Sequence, residues 1–326
     1  MKEVAQIMQR LGFNKGVCLR DVFIHGGPVR EDKYFYPRNT LSDRLIELLR
    51  EPDKQIIVFG EGYVGKTSLV LYCLRRLGYP APFHLLCFEG ITADLALRQL
   101  MRMFNISRLQ NTKDIRKTTV GGHASLATPL PVNAGIGGQI QQEESCEKTT
   151  TQWTEAPSIY DLVQAMKEES VILFIDDAEK ISDVELIAIL RNGAKHLATH
   201  SLNPSNKMII SMAYTEIKEF QSQWKPKDNR FAFLEVPRMK NEEIRGLIHQ
   251  GQAFTCLRLD DDVVEEIVLK SNGIPARAQL MCLECGRFTA RNNNIESFRL
   301  TGQEVSIGID VFRTNILKGI DENYVW

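Results

Sequence analysis

The stretch Gln55–Ser68, QIIVFGEGYVGKTS, constrains the fold of this chain more than any other. Ile56, Ile57, Val58 and Phe59 read as a buried strand. A glycine-rich turn follows, and then the start of a helix. Gly60, Gly65, Lys66 and Thr67 fit G-x-x-x-x-G-K-[ST], the spacing of a phosphate-binding loop. A polyphosphate needs several backbone N–H groups aimed at one point, and a turn running from Gly60 to Gly65 can curl to supply them. The helix opening near Lys66 adds the positive end of its dipole. The expected contacts run through Gly60, Glu61, Gly62, Tyr63, Val64, Gly65, Lys66, Thr67 and Ser68. Lys66 is expected to reach the β- and γ-phosphates, and Thr67 to offer its hydroxyl to magnesium. The plain alternative is a glycine turn before a surface helix.

The segments around this loop predict an α/β architecture. Leu41–Arg50 has helical spacing and stops at Pro52. Lys66–Leu77 closes at Gly78. FHLLCF, Phe83–Phe88, is a second continuous apolar strand, and Asp94–Phe104 a further helix. Nearly all-apolar strands alternating with helices point to a parallel sheet covered on both faces. VILFI, Val171–Ile175, is the next strand. Ser182 and Glu185 fit a capping box for the helix after it. Met208–Met212 and Phe231–Val236 complete the strands.

After Pro237 the pattern is purely helical: Glu242–His249, Asp261–Leu269 stopped by Asn272-Gly273, and Pro275–Phe288. The expected layout is an αβα P-loop core with a parallel sheet over 36–237 and a small all-helical lid over 238–292. An N-terminal arm (1–35) and a C-terminal tail (293–326) flank them. Glu3–Leu11 in the arm and Val311–Leu317 in the tail have helical spacing. Residues 105–157 change to Thr, Gly, Gln and Ser, begin basic (Arg108, Lys113, Arg116, Lys117) and end acidic. They read as an insertion, either solvated or contacting a partner or DNA. A helix is expected from Ser158.

LFIDD carries the second part of the chemistry. A buried strand delivers Asp176 to the carboxyl edge of the sheet, where a hard cation needs an oxygen ligand. Asp177 is placed to orient or deprotonate an attacking water. The alternative is two acids capping the next helix. Ser211, at or near a strand end, is a candidate γ-phosphate sensor, with Thr215 competing for the role. Arg230, before the fifth strand, either stabilises transition-state charge in a neighbouring subunit or is an exposed arginine in a charged loop. Gly273-Ile274-Pro275-Ala276-Arg277 opens the third lid helix, and Arg277, one turn in, can fold back onto a nucleotide. Pro275 is also what an ordinary helix start uses.

Composition narrows the setting. Lys+Arg number 40 against Asp+Glu 41, a net charge of −1, which gives no reason to expect strong nonspecific binding to nucleic acid. No apolar run approaches the roughly 20 residues of a membrane helix, and the N-terminus has no signal-peptide core. The seven cysteines (Cys18, Cys73, Cys87, Cys146, Cys256, Cys282, Cys285) are scattered and odd in number. They read as reduced thiols of a cytoplasmic protein. Cys282-x-x-Cys285 stands alone in a helix-like run and reads as packing.

Together, the phosphate loop, LFIDD strand, polar strand end, arginine before the fifth strand and GIPAR lid resemble the AAA+ ATPases over about residues 36–290. The initiator and transposition-regulator branches and the related STAND NTPases are the most similar. YPRNTLSDRL resembles the "gR…e…L" segment of those groups, with Pro37 for the usual glycine and Asn39 for the usual acid. The resemblance implies that Arg38 contacts the adenine side, and that the phosphate-loop strand is central and flanked by the LFIDD strand. It further implies ATP with Mg2+ bound between core and lid, hydrolysis, and nucleotide-driven homo-oligomers as rings or filaments. Residues 293–326 are too few for a STAND repeat array. The expected output is therefore regulation of a separately encoded protein partner, in a defence or mobile-element setting. The alternatives are a DNA-binding initiator or transposition regulator, and an ATP-dependent scaffold with little hydrolysis.

Overall fold

Alternation along the strands decides the layers. In the computed structural model, which describes residues 19–52, 54–79, 81–103, 171–200, 206–213, 230–255, 257–292 and 305–319, strand β1 is Gln55–Gly60. Ile56 and Val58 face one hydrophobic cluster and Ile57 faces the other. The same split recurs in β3, Ile172–Asp176, where Phe174 points one way and Leu173 and Ile175 the other. In β4, Lys207–Ala213, Ile209 opposes Met208 and Ile210. Side chains leave a strand on alternate faces, so an all-apolar strand must be covered on both.

Helices supply that cover. On one face lie α2, Asn39–Arg50, through Leu45, Leu48 and Leu49, and α3, Lys66–Arg76, through Leu69, Val70, Cys73 and Leu74. On the other lie α4, Ala93–Met103, and α5, Val184–His200, through Ala96, Leu100, Leu186, Leu190, Ala194 and Leu197. Before them comes α1, the four residues Leu19–Val22.

Five described strands, with β2 at Phe83–Leu86 and β5 at Phe231–Glu235, pair in the order β2-β3-β4-β1-β5. All of these pairings are parallel. This corrects one expectation: β1 is flanked by β4 and β5, and the LFIDD strand is one place further away. Val58 faces Ser211 across the β1–β4 pair. The intervening strand thus sets a buried polar side chain between the phosphate loop and Asp176. Only β4 offers a hydroxyl there, which is the physical reason the order suits the site.

The cap of α5 is a second correction. Asp183, not Ser182, takes the cap: its Oδ1 accepts the N–H groups of Glu185 (2.8 Å) and Leu186 (3.2 Å). Its Oδ2 accepts Ala93 N–H at 2.8 Å, the first residue of α4. One carboxylate closes two helix N-termini, which a hydroxyl cannot do as well.

The lid is helical: α6 is Asn241–Phe254, α7 Asp261–Ser271 and α8 Pro275–Asn292. Two short strands add to it. Strand β6, Leu257–Leu259, pairs in parallel with β7, Val305–Ile307. Beyond β7 a helical stretch, Ile309–Val311 continued by a π-helix over Phe312–Leu317, buries Phe312, Ile316 and Leu317. The described part of the tail is therefore packed onto the lid. The described part of the arm is packed as well, with Leu19, Val22, Phe23, Tyr34 and Phe35 in the same cluster as the lid helices. Cys73, Cys87, Cys282 and Cys285 are free and buried. Burial pushes the Cys73 and Cys87 thiols up to about 12 and raises those of Cys282 and Cys285 as well, as suits packing residues. The expected helices at Glu3–Leu11 and from Ser158, the 105–157 insertion, Thr215, Cys18, Cys146 and Cys256 lie outside the described residues.

Asn272 (φ 50°) and Gly273 (φ 73°) turn the chain from α7 into α8. A Cβ on Gly273 would lie 2.5 Å from the Met239 carbonyl oxygen, and Met239 N–H donates to the Gly273 carbonyl at 2.8 Å. Gly273→Ala adds left-handed strain of about 1–2 kcal/mol to a clash with backbone that cannot swing away. The expected loss is roughly 2–4 kcal/mol, read as a lower denaturation midpoint at unchanged slope. A midpoint like that of the wild type would contradict this packing of lid against connection.

Candidate functional site

The amino end of α3 and the carboxyl ends of β1 and β3 meet in one cleft of about 460 Å³. That size suits a small ligand. The loop between β1 and α3 supplies its floor, with Gly62, Tyr63, Gly65, Lys66, Thr67 and Ser68 lining it. Tyr63 (φ 65°) and Gly65 (φ 94°) are left-handed, the backbone form that turns successive N–H groups toward one point. Val64 buries its side chain in the core. Gly60 sits where a Cβ would meet the Val236 carbonyl oxygen at 2.3 Å, so the strand can leave the sheet there only without a side chain.

Lys66 is 7% exposed. Its Nζ donates to the carbonyls of Gly60 (3.1 Å) and Glu61 (2.8 Å). Burial lowers the pKa of this ammonium, and the charges of Glu179, Asp177 and Asp176 offset that in part. A cation held with partial compensation is poised for an anionic ligand.

Thr67 and Asp176 meet across the cleft floor. Thr67 Oγ1 donates to Asp176 Oδ2 at 2.9 Å and lies 3.1 Å from Oδ1. Asp176 is 3% exposed. Burial pushes its carboxyl up, but hydrogen bonds from His84, Ser211 and Thr67 outweigh burial and hold it below the ordinary carboxylate value. Ser211 Oγ donates to Asp176 Oδ1, and Asp177 N–H lies 3.4 Å from the same hydroxyl. Ser211 is fully buried and addresses Asp176 rather than the cleft.

Asp177 stands in a left-handed conformation (φ 56°) at the strand end. Its Oδ2 accepts Lys180 Nζ at 2.8 Å. Glu179 also lines the cleft, and its Oε2 accepts Ala213 N–H at the end of β4 (3.0 Å). Its influence on Lys66 exceeds that of either aspartate. The sequence reading passed over Glu179; the signal available was a third acid within four residues of the strand end.

Three arginines take different places. Arg277 sits at the start of α8, close enough for its charge to act on Glu61. Arg38 turns away from the cleft. It is 9% exposed and donates to Glu243 Oε1 (3.2 Å) and to the carbonyls of Pro237 (2.7 Å) and Arg238 (3.3 Å). It clasps the connection between core and lid, where unpaired carbonyls call for a fork of donors. Arg230 lies at the other end of the sheet, its carbonyl accepting Gln55 N–H at 2.8 Å where β1 begins. It is too far to serve its own chain's loop.

The segment Ile24–Val29 lines the cleft opposite the loop. Val29 N–H donates to Ser68 Oγ at 3.1 Å, which fastens the arm to α3. Sequence periodicity did not mark this segment, because Gly26, Gly27 and Pro28 form no regular element. Arg238 joins the loop from the lid side, with Nε and Nη2 on the Glu61 carboxylate (2.5 and 2.9 Å). Among the described residues no helix is long and apolar enough to cross a membrane.

No protein-family model and no curated protein sequence matches the chain. Solved structures do match. The ORC2 protein of Aeropyrum pernix, in its ADPNP–ADP complexes, superposes with a TM-score of 0.56 at 14% identity, over 94% of this chain and 72% of that one. A Walker-type ATPase of Pyrococcus abyssi gives 0.52 at 18% identity, over 85% and 73%. The Aeropyrum pernix ORC1 protein in complex with DNA gives 0.50 at 14% identity, over 87% and 66%. The fold is that of the AAA+ P-loop ATPases, as the sequence resemblance implied.

Proposed function

We propose that this chain is a magnesium-dependent ATPase that works as a nucleotide switch. The observation that carries the reading is the contact of Thr67 with Asp176 at the mouth of a left-handed glycine loop. A hydroxyl and an ionised carboxylate together form a hard oxygen donor set, which fits magnesium. When bound, magnesium neutralises phosphate charge. Thr67 and Asp176 would hold it, Lys66 and the loop N–H groups would bind the phosphates, and Asp177 would position water. Glu179 is the second reading for the water, favoured by its place in the cleft and by the Lys180 contact that occupies Asp177. Arg277 and Arg238 report the bound phosphate to the lid.

Arg230, remote from its own loop, serves a neighbouring copy, which makes the working form a homo-oligomer. Its output is a separately encoded protein partner. A DNA-bound regulator is the second reading. It is favoured by the likeness in fold to the ORC1 protein, whose structure includes DNA.

The test is the solution mass of the full chain without nucleotide, with ADP and with a non-hydrolysable ATP analogue, each with and without duplex DNA. Assembly with the analogue alone is the expected result. Assembly that requires DNA favours the regulator. A constant monomer removes Arg230 from the site.

A further inference from the structure

We infer that His84 is a positioning residue for the magnesium site, holding the Asp176 carboxylate in place from the neighbouring strand; the inference rests on the ATPase reading above. β2 pairs with β3 in a register that sets His84 beside Phe174 and Leu86 beside Asp176. The imidazole stacks on the Phe174 ring, with centroids 4.7 Å apart and planes 15° apart. Its Nε2 lies 3.2 Å from Asp176 Oδ2. A carboxylate oxygen that serves as a metal ligand is an acceptor, so this contact is a hydrogen bond with the hydrogen on Nε2.

The hydrogen bonds on Asp176 divide into two kinds. The Thr67 hydroxyl is itself an expected ligand, so a bound cation would draw on the same group that touches Asp176. Ser211 on Oδ1 and His84 on Oδ2 are outside the expected ligand set and fix the carboxylate independently of the cation. Ser211 is sealed in the sheet, whereas the His84 side chain is 32% exposed and lines the cleft. His84 is thus the partner of Asp176 that stands at the ligand. Outer partners of this kind orient metal-binding groups, and their loss typically costs about 10–100-fold in metal affinity.

The experiment titrates the full-length protein with a fluorescent ADP analogue, in EDTA and in excess Mg2+, and measures Mn2+ binding to the ADP complex by electron paramagnetic resonance. His84→Phe keeps the stacking and removes the donor. His84→Leu removes both. His84→Gln restores an amide N–H. Thermal unfolding checks that each variant is folded. The expected result is metal-free ADP affinity within about twofold of wild type in all three. His84→Phe and His84→Leu should show about tenfold weaker Mn2+ binding and lose most of the Mg2+ enhancement, and His84→Gln should recover it. Metal binding in the donor-free variants equal to wild type overturns the inference, and so does His84→Gln failing alongside them. A wild type that binds no ADP with or without Mg2+ overturns the ATPase reading itself, and this inference with it, whereas ADP binding that neither Mg2+ nor Mn2+ accompanies overturns this inference alone.

Discussion

Lys66→Ala is expected to weaken ATP binding by about 100-fold or more and to reduce turnover to background. Each charge-assisted hydrogen bond from this ammonium to a phosphate contributes about 1.5–3 kcal/mol. Two of them correspond to roughly 3–6 kcal/mol, or about 10²–10⁴ in affinity. The fold should not suffer. Burial lowers the Lys66 pKa, so the charged form is less favourable in the folded chain than in the unfolded one. Removing it takes away a cost rather than a support. Of the two carbonyls it touches, that of Glu61 is only partly buried, whereas that of Gly60 is buried at the end of β1 and is the one that loses a partner. Isothermal titration with an ATP analogue, beside a thermal melt, separates the two effects. Unchanged affinity would contradict the phosphate-loop assignment. A large fall in melting temperature would mean that Lys66 holds the loop together rather than waiting for a ligand.

The second large effect is expected at Asp177. Asp177→Asn should leave nucleotide affinity within about threefold and lower turnover by about 10²–10⁴, the range that a lost general base produces. The Lys180 contact does not prevent this role. An exposed ion pair is worth only about 0–1 kcal/mol, and a ligand at the cleft can displace it. Glu179→Gln is the comparison that decides between the acids. Glu179 lines the same cleft and bears most strongly on Lys66, but its carboxylate is also engaged by Ala213 N–H. If Asp177 handles the water, Glu179→Gln should cost less than about tenfold. The reverse pattern, turnover lost in Glu179→Gln and kept in Asp177→Asn, moves the role two residues along the chain. Single-turnover measurements with saturating ATP keep binding out of the comparison.

Much of this cleft's local geometry is legible in the sequence. The phosphate loop is a local object: six residues of turn bounded by a strand and a helix, with glycines where the backbone needs freedom. Asp176 was readable for the same reason, since a run of buried residues can end in an acid only where something polar waits. The stop after α7 was written in Asn272-Gly273, and both residues adopt the left-handed form. His84 was not readable. One histidine in FHLLCF carries no sign of its partner, because that partner is Asp176, far along the chain and on the adjacent strand. Arg38 is assigned by resemblance to the adenine side, and its contacts with the carbonyls after β5 were not readable, because they join segments far apart in the chain. The cap of α5 was misplaced by one residue because Asp183 serves α4 as well, and no window around α5 contains that demand.

The sequence by itself determined the class of fold, the glycine turn between strand and helix, the acid at the end of a buried strand and the helical character of the C-terminal region. Each of these follows from residue type and period within a short window, where backbone geometry leaves few choices. Only the tertiary structure decided that β4 lies between β1 and β3, that Ser211 and His84 grip Asp176 from opposite sides, that Ile24–Val29 lines the cleft, and that Arg38 ties core to lid. These are lateral relations between segments remote in sequence. They depend on which buried polar groups find partners once the sheet is assembled, and burying such a group without a partner costs about 1–3 kcal/mol. That cost is felt only in the folded chain, so the pattern along the sequence cannot record it.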